Sequence, residues 1–329
     1  MTYYVGSGPY CYAHSLTMVL GDTAPPPAVV EVLTGSPFGF QLLGGGLPLF
    51  DPYGWDPEQG LDAVVSLLGV ACERTAGGTA EEAGERLRAA SARGPVLVGP
   101  VDMGLLLHQP GTPTNESGAD HYVVVLGVDD GTVLFHDPHG HPYATLPLPD
   151  FLAAWEAETV EYADAPYVLR TGFVRERRVA PEEALRRSLP DARRWLAGRD
   201  DRPVPPGTLG GAAGLAALAA RADAGLDAET RGFMAHFAVR LGARRLADAA
   251  HCLESLGLSD AAALATEQSR LIGGLQHPLV TGDDHTLAEG LRRLAPSYER
   301  LRTALASPGR TREAPECQRV GGVSGSGAS

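Results

Sequence analysis

The sequence predicts an α+β fold in which an antiparallel sheet follows an N-terminal helix, with an all-α half after it. Three observations predict this. The strand signals in the first half sit next to one another and include a hairpin, which does not suit alternating βαβ units. A short helical pattern opens the chain, with a cysteine at its start. From about residue 207 onward the apolar spacing is helical throughout, with few β-branched residues.

Taken in order, Gly8-Pro9 is a turn signal, and Tyr10–Leu20 follows as a helix with Leu16, Val19 and Leu20 on its apolar face. Glu31–Leu33 belongs to a second helix. Residues 34–57 are rich in Gly and Pro and read as an irregular, ordered loop. Gln59–Leu68 and Ala80–Ala92 are amphipathic helices. Strands follow at Pro95–Val101, Tyr122–Val128 and Thr132–His136, the last two joined by Asp129-Asp130-Gly131 as a hairpin. Tyr167–Val174 is a further strand. The Arg- and Pro-rich segment 179–206 reads as a linker with one short helix, so the expected division is 1–178, 179–206, a helical domain over 207–306, and a disordered tail over 307–329.

Composition narrows the chemistry. The chain has 329 residues, enough for two domains, with 44% hydrophobic and 20% charged residues. It contains no lysine, which removes Lys Schiff-base chemistry and a phosphate-binding P-loop; Gly44-Gly45-Gly46 is therefore not a phosphate cradle. A net charge of −13 argues against nucleic acid and anionic membranes as partners. The four cysteines, Cys11, Cys72, Cys252 and Cys317, show no zinc-ligand spacing. No leader-like segment or membrane-spanning run is evident, so the expected compartment is the cytosol, with reduced thiols.

Cys11 at a helix start is a site for nucleophilic chemistry. The helix N-terminus favours negative charge, and its backbone N–H groups point at an oxyanion formed on attack at a carbonyl. Cys72, Cys252 and Cys317 read instead as small buried hydrophobes. His121 begins one hairpin strand and Asp137 ends the other. A three-residue loop over Asp129–Gly131 would pair Val123 with Asp137 and His121 with His139, leaving His121 and Asp137 as diagonal neighbours on one face. A two-residue loop would place them on opposite faces. In the first register His121 takes the thiol proton and Asp137 orients His121.

Tyr10, which precedes Cys11, and His14, on the same helix face, are candidate substrate-binding residues, as are Phe38 and Trp55 in the 34–57 loop. Phe38, Phe50 and Trp55 are equally candidates for the core, and His14 for a structural role. The cluster HDPHGH, residues 136–141, has the residue types of a metal site, but adjacent strand positions point to opposite faces, so no metal is expected.

The order of a cysteine, a strand histidine and an aspartate on the next strand resembles papain-like cysteine enzymes. DHYVVVLGVDDGTVLFHDPHG is similar to the His–Asp hairpin of the bacterial double-glycine leader peptidases. YCYAHSLTMVL, EVLTGSPFG and GWDPEQGLDAVVSLLGV resemble the butirosin-biosynthesis H-type acyltransferases. LGGAAGLAAL, RGFMAHFAVRLGARRLADAA and LRRLAPSYERLRTAL are similar in character to the helical domain of that family. The resemblance implies a papain-like domain that transfers an acyl group through an acyl-Cys11 thioester. The donor would be a carrier-protein or CoA thioester, the acceptor a small-molecule amine or hydroxyl, and no cofactor would be needed. A homodimer is left open. The leader peptidases place a Gln a few residues before the cysteine; here that position is Val5, which leaves Tyr3, Tyr4, Ser7 or a backbone N–H as the second oxyanion donor. A cysteine peptidase or amidase, and a catalytically silent binding module, are the alternative readings.

Overall fold

The computed structural model describes residues 9–199 and 201–306. The expectations for Tyr3, Tyr4, Ser7, Cys317 and the 307–329 tail lie outside the described residues.

Helix α1 (Cys11–Leu20) starts at the cysteine, one residue after Tyr10, and buries Tyr12, Ala13 and Leu16. Helix α2 (Pro27–Leu33) has proline in its first turn, where a missing N–H costs nothing. The segment expected to be irregular carries a hairpin, β1 (Gln41–Leu43) and β2 (Leu47–Leu49). Its Gly-rich turn is what hid it: Gly44 and Gly45 take left-handed φ of 57° and 71°, as a tight reversal requires. Helix α3 (Pro57–Leu67) is capped by Asp56, which accepts from the Gln59 N–H at 2.8 Å. Strand β3 (Val70–Thr75) and helix α4 (Ala80–Ser91), the latter opened by a Thr79–Glu82 capping box, lead to the fully buried strand β4 (Val96–Asp102).

Strands β5 (Asp120–Asp129), β6 (Thr132–Asp137) and β7 (His141–Pro147) follow, then helix α5 (Leu148–Glu156) and strand β8 (Leu169–Arg175). The main sheet has the order β3-β8-β4-β5-β6-β7, and every pairing is antiparallel. Neither β3 nor β7 was expected. Both are half-exposed and polar at several positions, so they lack the apolar run that marks β4 and β5.

Helix α6 (Pro181–Ala197) occupies most of the presumed linker. It is 17 residues long and buries Leu185, Ala192 and Trp195. After it come β9 (Leu209–Gly210), α7 (Gly211–Asp223), α8 (Ala228–Phe233), α9 (Val239–Ser255), α10 (Ser259–Gly274), α11 (Gln276–Thr281), α12 (Asp284–Leu294) and α13 (Ser297–Ala304). Strand β9 pairs with β1, so a strand of the second half completes a sheet of the first.

The apolar core has two parts. One lies between the main sheet and α4 and α5, around Val123, Val125, Phe135 and Trp155. The other is continuous from α1, α2 and α3 through α6 into the C-terminal helices, and includes Leu16, Leu33, Phe50, Leu241 and Leu253. The two halves therefore share one core across the boundary that composition suggested. Gly242 marks the closest approach: a Cβ there would sit 2.6 Å from the Phe50 Cβ.

Candidate functional site

The site is assembled where the start of α1 meets the hairpin. Ser15 ties α1 to β5 by donating to the Tyr122 carbonyl at 3.1 Å. The N-cap residue of α1, Tyr10, makes no side-chain cap bond, so among the described residues its side chain does not take up the first-turn amide N–H groups at Cys11 and Tyr12. Cys11 and His121 both line a cleft of about 1360 Å³.

The hairpin brings His121 to Asp137 by an unexpected route. The tip pairs Asp129 with Thr132, so the turn is two residues, Asp130-Gly131, both with positive φ. Alone, that register would put His121 and Asp137 on opposite faces. A β-bulge between Val125 and Gly127 shifts the pairing by one, giving Val125–Phe135 and Val124–His136. Continued, this places His121 and Asp137 as diagonal neighbours, in the register that a three-residue loop would have produced. The His121 Nε2 lies 2.7 Å from Asp137 Oδ1. Its Nδ1 is left for Cys11, which lines the same cleft and acts on the charge of the ring.

Burial opposes a charge on His121, but the Asp137 carboxylate and Cys11 outweigh it and push its pKa up to about 10. Burial likewise opposes a charge on Asp137, yet His121 and the surrounding donors hold its carboxyl well below the usual range. Two of those donors come from the 103–119 segment and were not foreseen. His108 Nε2 lies 2.8 Å from Asp137 Oδ2, and Gln109 Nε2 donates to the same oxygen at 2.7 Å. The His139 N–H donates to Oδ1 at 2.7 Å. A loop residue obeys no period, so nothing in the sequence marks His108 or Gln109 as partners of Asp137.

Beside His121, Asp120 accepts from Tyr162 at 2.7 Å, and Tyr122 donates to Glu58 at 3.0 Å. Gly99 lets β4 pass this pair closely. A Cβ there would meet Tyr122 Cδ1 at 2.4 Å and the His121 carbonyl oxygen at 2.9 Å.

The C-terminal half supplies a second unforeseen group. Arg245 of α9 is buried and donates to Glu31 Oε1 at 2.6 Å, Tyr12 Oη at 2.6 Å and Asp51 Oδ2 at 3.3 Å. Its guanidinium lies 5.5 Å from the Trp55 ring centroid. Tyr12 follows Cys11, so the helical half holds the residue next to the candidate cysteine. Burial pushes Asp51 up to about 6, against the opposing effect of Arg245. The signal in the sequence was an arginine on the apolar stripe of a helix, between Leu241 and Ala249.

Of the candidate substrate-binding residues, Trp55 lines the cleft, while Tyr10, His14 and Phe38 are not among its lining. Tyr10 is 1% exposed, stacks on His14 with ring centroids 5.8 Å apart, and donates to Asp248 at 2.5 Å. His14 is buried, and burial lowers its pKa to about 4. Phe38 belongs to the core. Both faces of the helix at Tyr10 and His14 are covered, one by the sheet side and one by α9, and the spacing alone did not show the second cover. His136, the first residue of the HDPHGH cluster, is fully buried and accepts from the Tyr143 N–H at 3.1 Å. Among the described residues no group of three or more His, Cys, Asp or Glu is placed to hold a metal ion. Among them, too, no helix is long and apolar enough to cross a membrane.

Residues 205–306 match the family model described as the YobF C-terminal domain. Over 312 residues, 94% of this chain and the full length of the relative, the sequence is 28% identical to a protein of Bacillus subtilis (strain 168) described as "Uncharacterized protein YobF". The similarity thus runs through both the sheet-bearing half and the helical half.

Proposed function

We propose that the protein is a papain-like, cysteine-dependent acyltransferase that forms an amide or ester by way of an acyl-Cys11 thioester. One observation carries this reading. Cys11 stands at the start of a helix whose N-cap residue, Tyr10, makes no side-chain cap bond, in one cleft with His121, and a ring nitrogen of His121 is held by the buried Asp137. Buried carboxylates fix a histidine in one orientation and stabilise its protonated form, which is what a thiolate nucleophile needs beside it.

The cycle balances with these groups alone. The Cys11 thiolate attacks the carbonyl of an acyl thioester, and the oxyanion accepts hydrogen bonds from the free first-turn amides of α1. The C–S bond to the donor breaks, and the departing thiolate takes the His121 proton. An amine or hydroxyl acceptor then attacks acyl-Cys11. Its proton passes to neutral His121, the Cys11–acyl bond breaks, and the thiolate–imidazolium pair is restored. A carrier-protein or CoA thioester is the proposed donor, and no cofactor takes part in these steps. A small amine suits this end of the cleft, because Glu58, Asp62 and Asp164 line it and are paired with only two arginines, Arg74 and Arg170. Water in place of the amine gives the hydrolase reading.

The test is intact-protein mass spectrometry after incubation with acyl thioesters, followed by candidate amines. The expected result is an acyl adduct on Cys11 that is discharged by an amine faster than by buffer. Discharge at the same rate with and without amines would turn the reading to a hydrolase.

A further inference from the structure

The helix facing Cys11 across the cleft is not a regular α-helix. Helix α8 and α9 run as one rod from Ala228 to Ser255, joined by a π-helical turn at Met234–Ala238, with helical backbone angles on both sides. A π turn admits one extra residue, so it rotates the C-terminal stretch of the rod relative to the N-terminal one, and such turns recur at functional sites. Here the turn and the residue after Val239 bring His236, Phe237 and Arg240 to the cleft wall.

Two of those residues are unusual for a surface. Phe237 is 42% exposed and packs in a tilted arrangement on Phe233, with ring centroids 5.3 Å apart. Arg240 bonds only to its own helix, at the His236 carbonyl, 3.3 Å away. Among the described residues no carboxylate pairs with it. Of the other arginines that line the cleft, Arg74 is paired with Glu58 and Asp164, and Arg245 with Glu31 and Asp51, while Arg202 reaches it from the segment between α6 and β9. Arg240 is close to the reacting groups as well. The His139 ring centroid lies 6.0 Å from that of His121, and the Arg240 charge acts on His139. Arg240, His139 and His121 thus line one cleft together with Cys11.

We propose that Arg240, with Phe237 as its apolar neighbour, is a subsite for a carboxylate carried by the acyl group itself, a few methylenes from the carbonyl bound to Cys11. A guanidinium offers a planar fork that matches a carboxylate, and Phe237 covers the aliphatic spacer. The proposal rests on the acyl-Cys11 reading and names the acyl class that would load.

The experiment compares N-acetylcysteamine thioesters of glutarate and of valerate, by the rate of the Cys11 mass shift, in the native protein, Arg240→Ala and Arg240→Lys. The glutaryl donor should react about 10-fold faster or more, the size of one charge-assisted contact. Arg240→Ala should erase that preference, bringing the glutaryl and valeryl rates together, and Arg240→Lys should keep part of it. A preference that survives Arg240→Ala, or none in the native protein, overturns the proposal. The CoA thioesters of both acids separate the donor's phosphates from the acyl carboxylate. If both CoA thioesters react equally and both slow in Arg240→Ala, the bound anion is a phosphate and the proposal fails. A second measurement does not depend on acylation: free glutarate should protect Cys11 from iodoacetamide in the native protein and not in Arg240→Ala. Protection without acylation by any donor would sink the acyltransferase reading and keep the carboxylate subsite; absence of protection would count against the subsite itself.

Discussion

At the scale of single residues, the proposed chemistry turns on the protonation of His121. Its pKa, near 10 in the folded protein, lies above the ordinary value of 6.5. The ion pair with Asp137 therefore contributes stability that is fully present below pH 6.5 and is lost as pH rises through about 10. The difference in melting temperature between the native protein and His121→Gln should be largest near pH 6 and should shrink by about pH 10.5. An unchanged difference across that range would mean that His121 is neutral in the fold. Asp137→Asn keeps the size of the side chain but removes the charge that orients and stabilises the imidazolium. Alkylation of Cys11 by iodoacetamide at pH 7 should slow by about 100-fold or more, as loss of a triad carboxylate commonly does. A rate within a factor of two of the native protein would remove Asp137 from the reacting group.

At the scale of elements, a β-bulge restores the register that a three-residue loop would give. The strands β5 and β6 were legible because they are apolar runs flanked by turn residues. The two-residue turn was not distinguishable from a three-residue one, and Leu126, the unpaired residue of the bulge, is an ordinary strand residue. The strands β3 and β7 were not legible because they are polar and half-exposed, and β3 pairs with the distant β8; the β1–β2 hairpin was hidden by the glycines of its turn. The same holds at the site. Cys11, His121 and Asp137 stand out by type and position, whereas His108, Gln109 and Arg245 are identified by what they touch. The contact between β4 and β5 makes a further prediction. Gly99 has φ of 155° and no room for a side chain beside Tyr122. Gly99→Ala should destabilise the fold by ~1–3 kcal/mol, as overpacking does, and should slow Cys11 alkylation by displacing His121. Urea unfolding and alkylation rates check both effects; a variant of native stability and reactivity would show that β4 yields without moving β5.

At the scale of the whole molecule, the two halves act as one body around the cleft. The core that joins α1 and α2 to α9 is continuous, and β9 pairs with β1. Calorimetry should accordingly show one unfolding transition; two separable transitions would argue that the halves are independent. Arg245 is the polar centre of that joint. Removing one partner of a buried ion pair leaves the other charge uncompensated, so Arg245→Ala should cost about 3–5 kcal/mol in urea unfolding. Because Arg245 also holds Tyr12, the same variant should lower Cys11 reactivity under conditions where it is still folded. The division suggested by composition at 179–206 is thus a change in secondary-structure class within a shared core.

The measurement that tests the central claim most directly is the mass of the intact protein after exposure to an acyl thioester, compared with Cys11→Ala. The acyl-Cys11 reading predicts one added acyl group on the native protein, none on Cys11→Ala, and a much slower addition on His121→Ala. An adduct of equal yield on Cys11→Ala, or no adduct from any thioester on a native protein whose Cys11 is also inert to iodoacetamide, would contradict it.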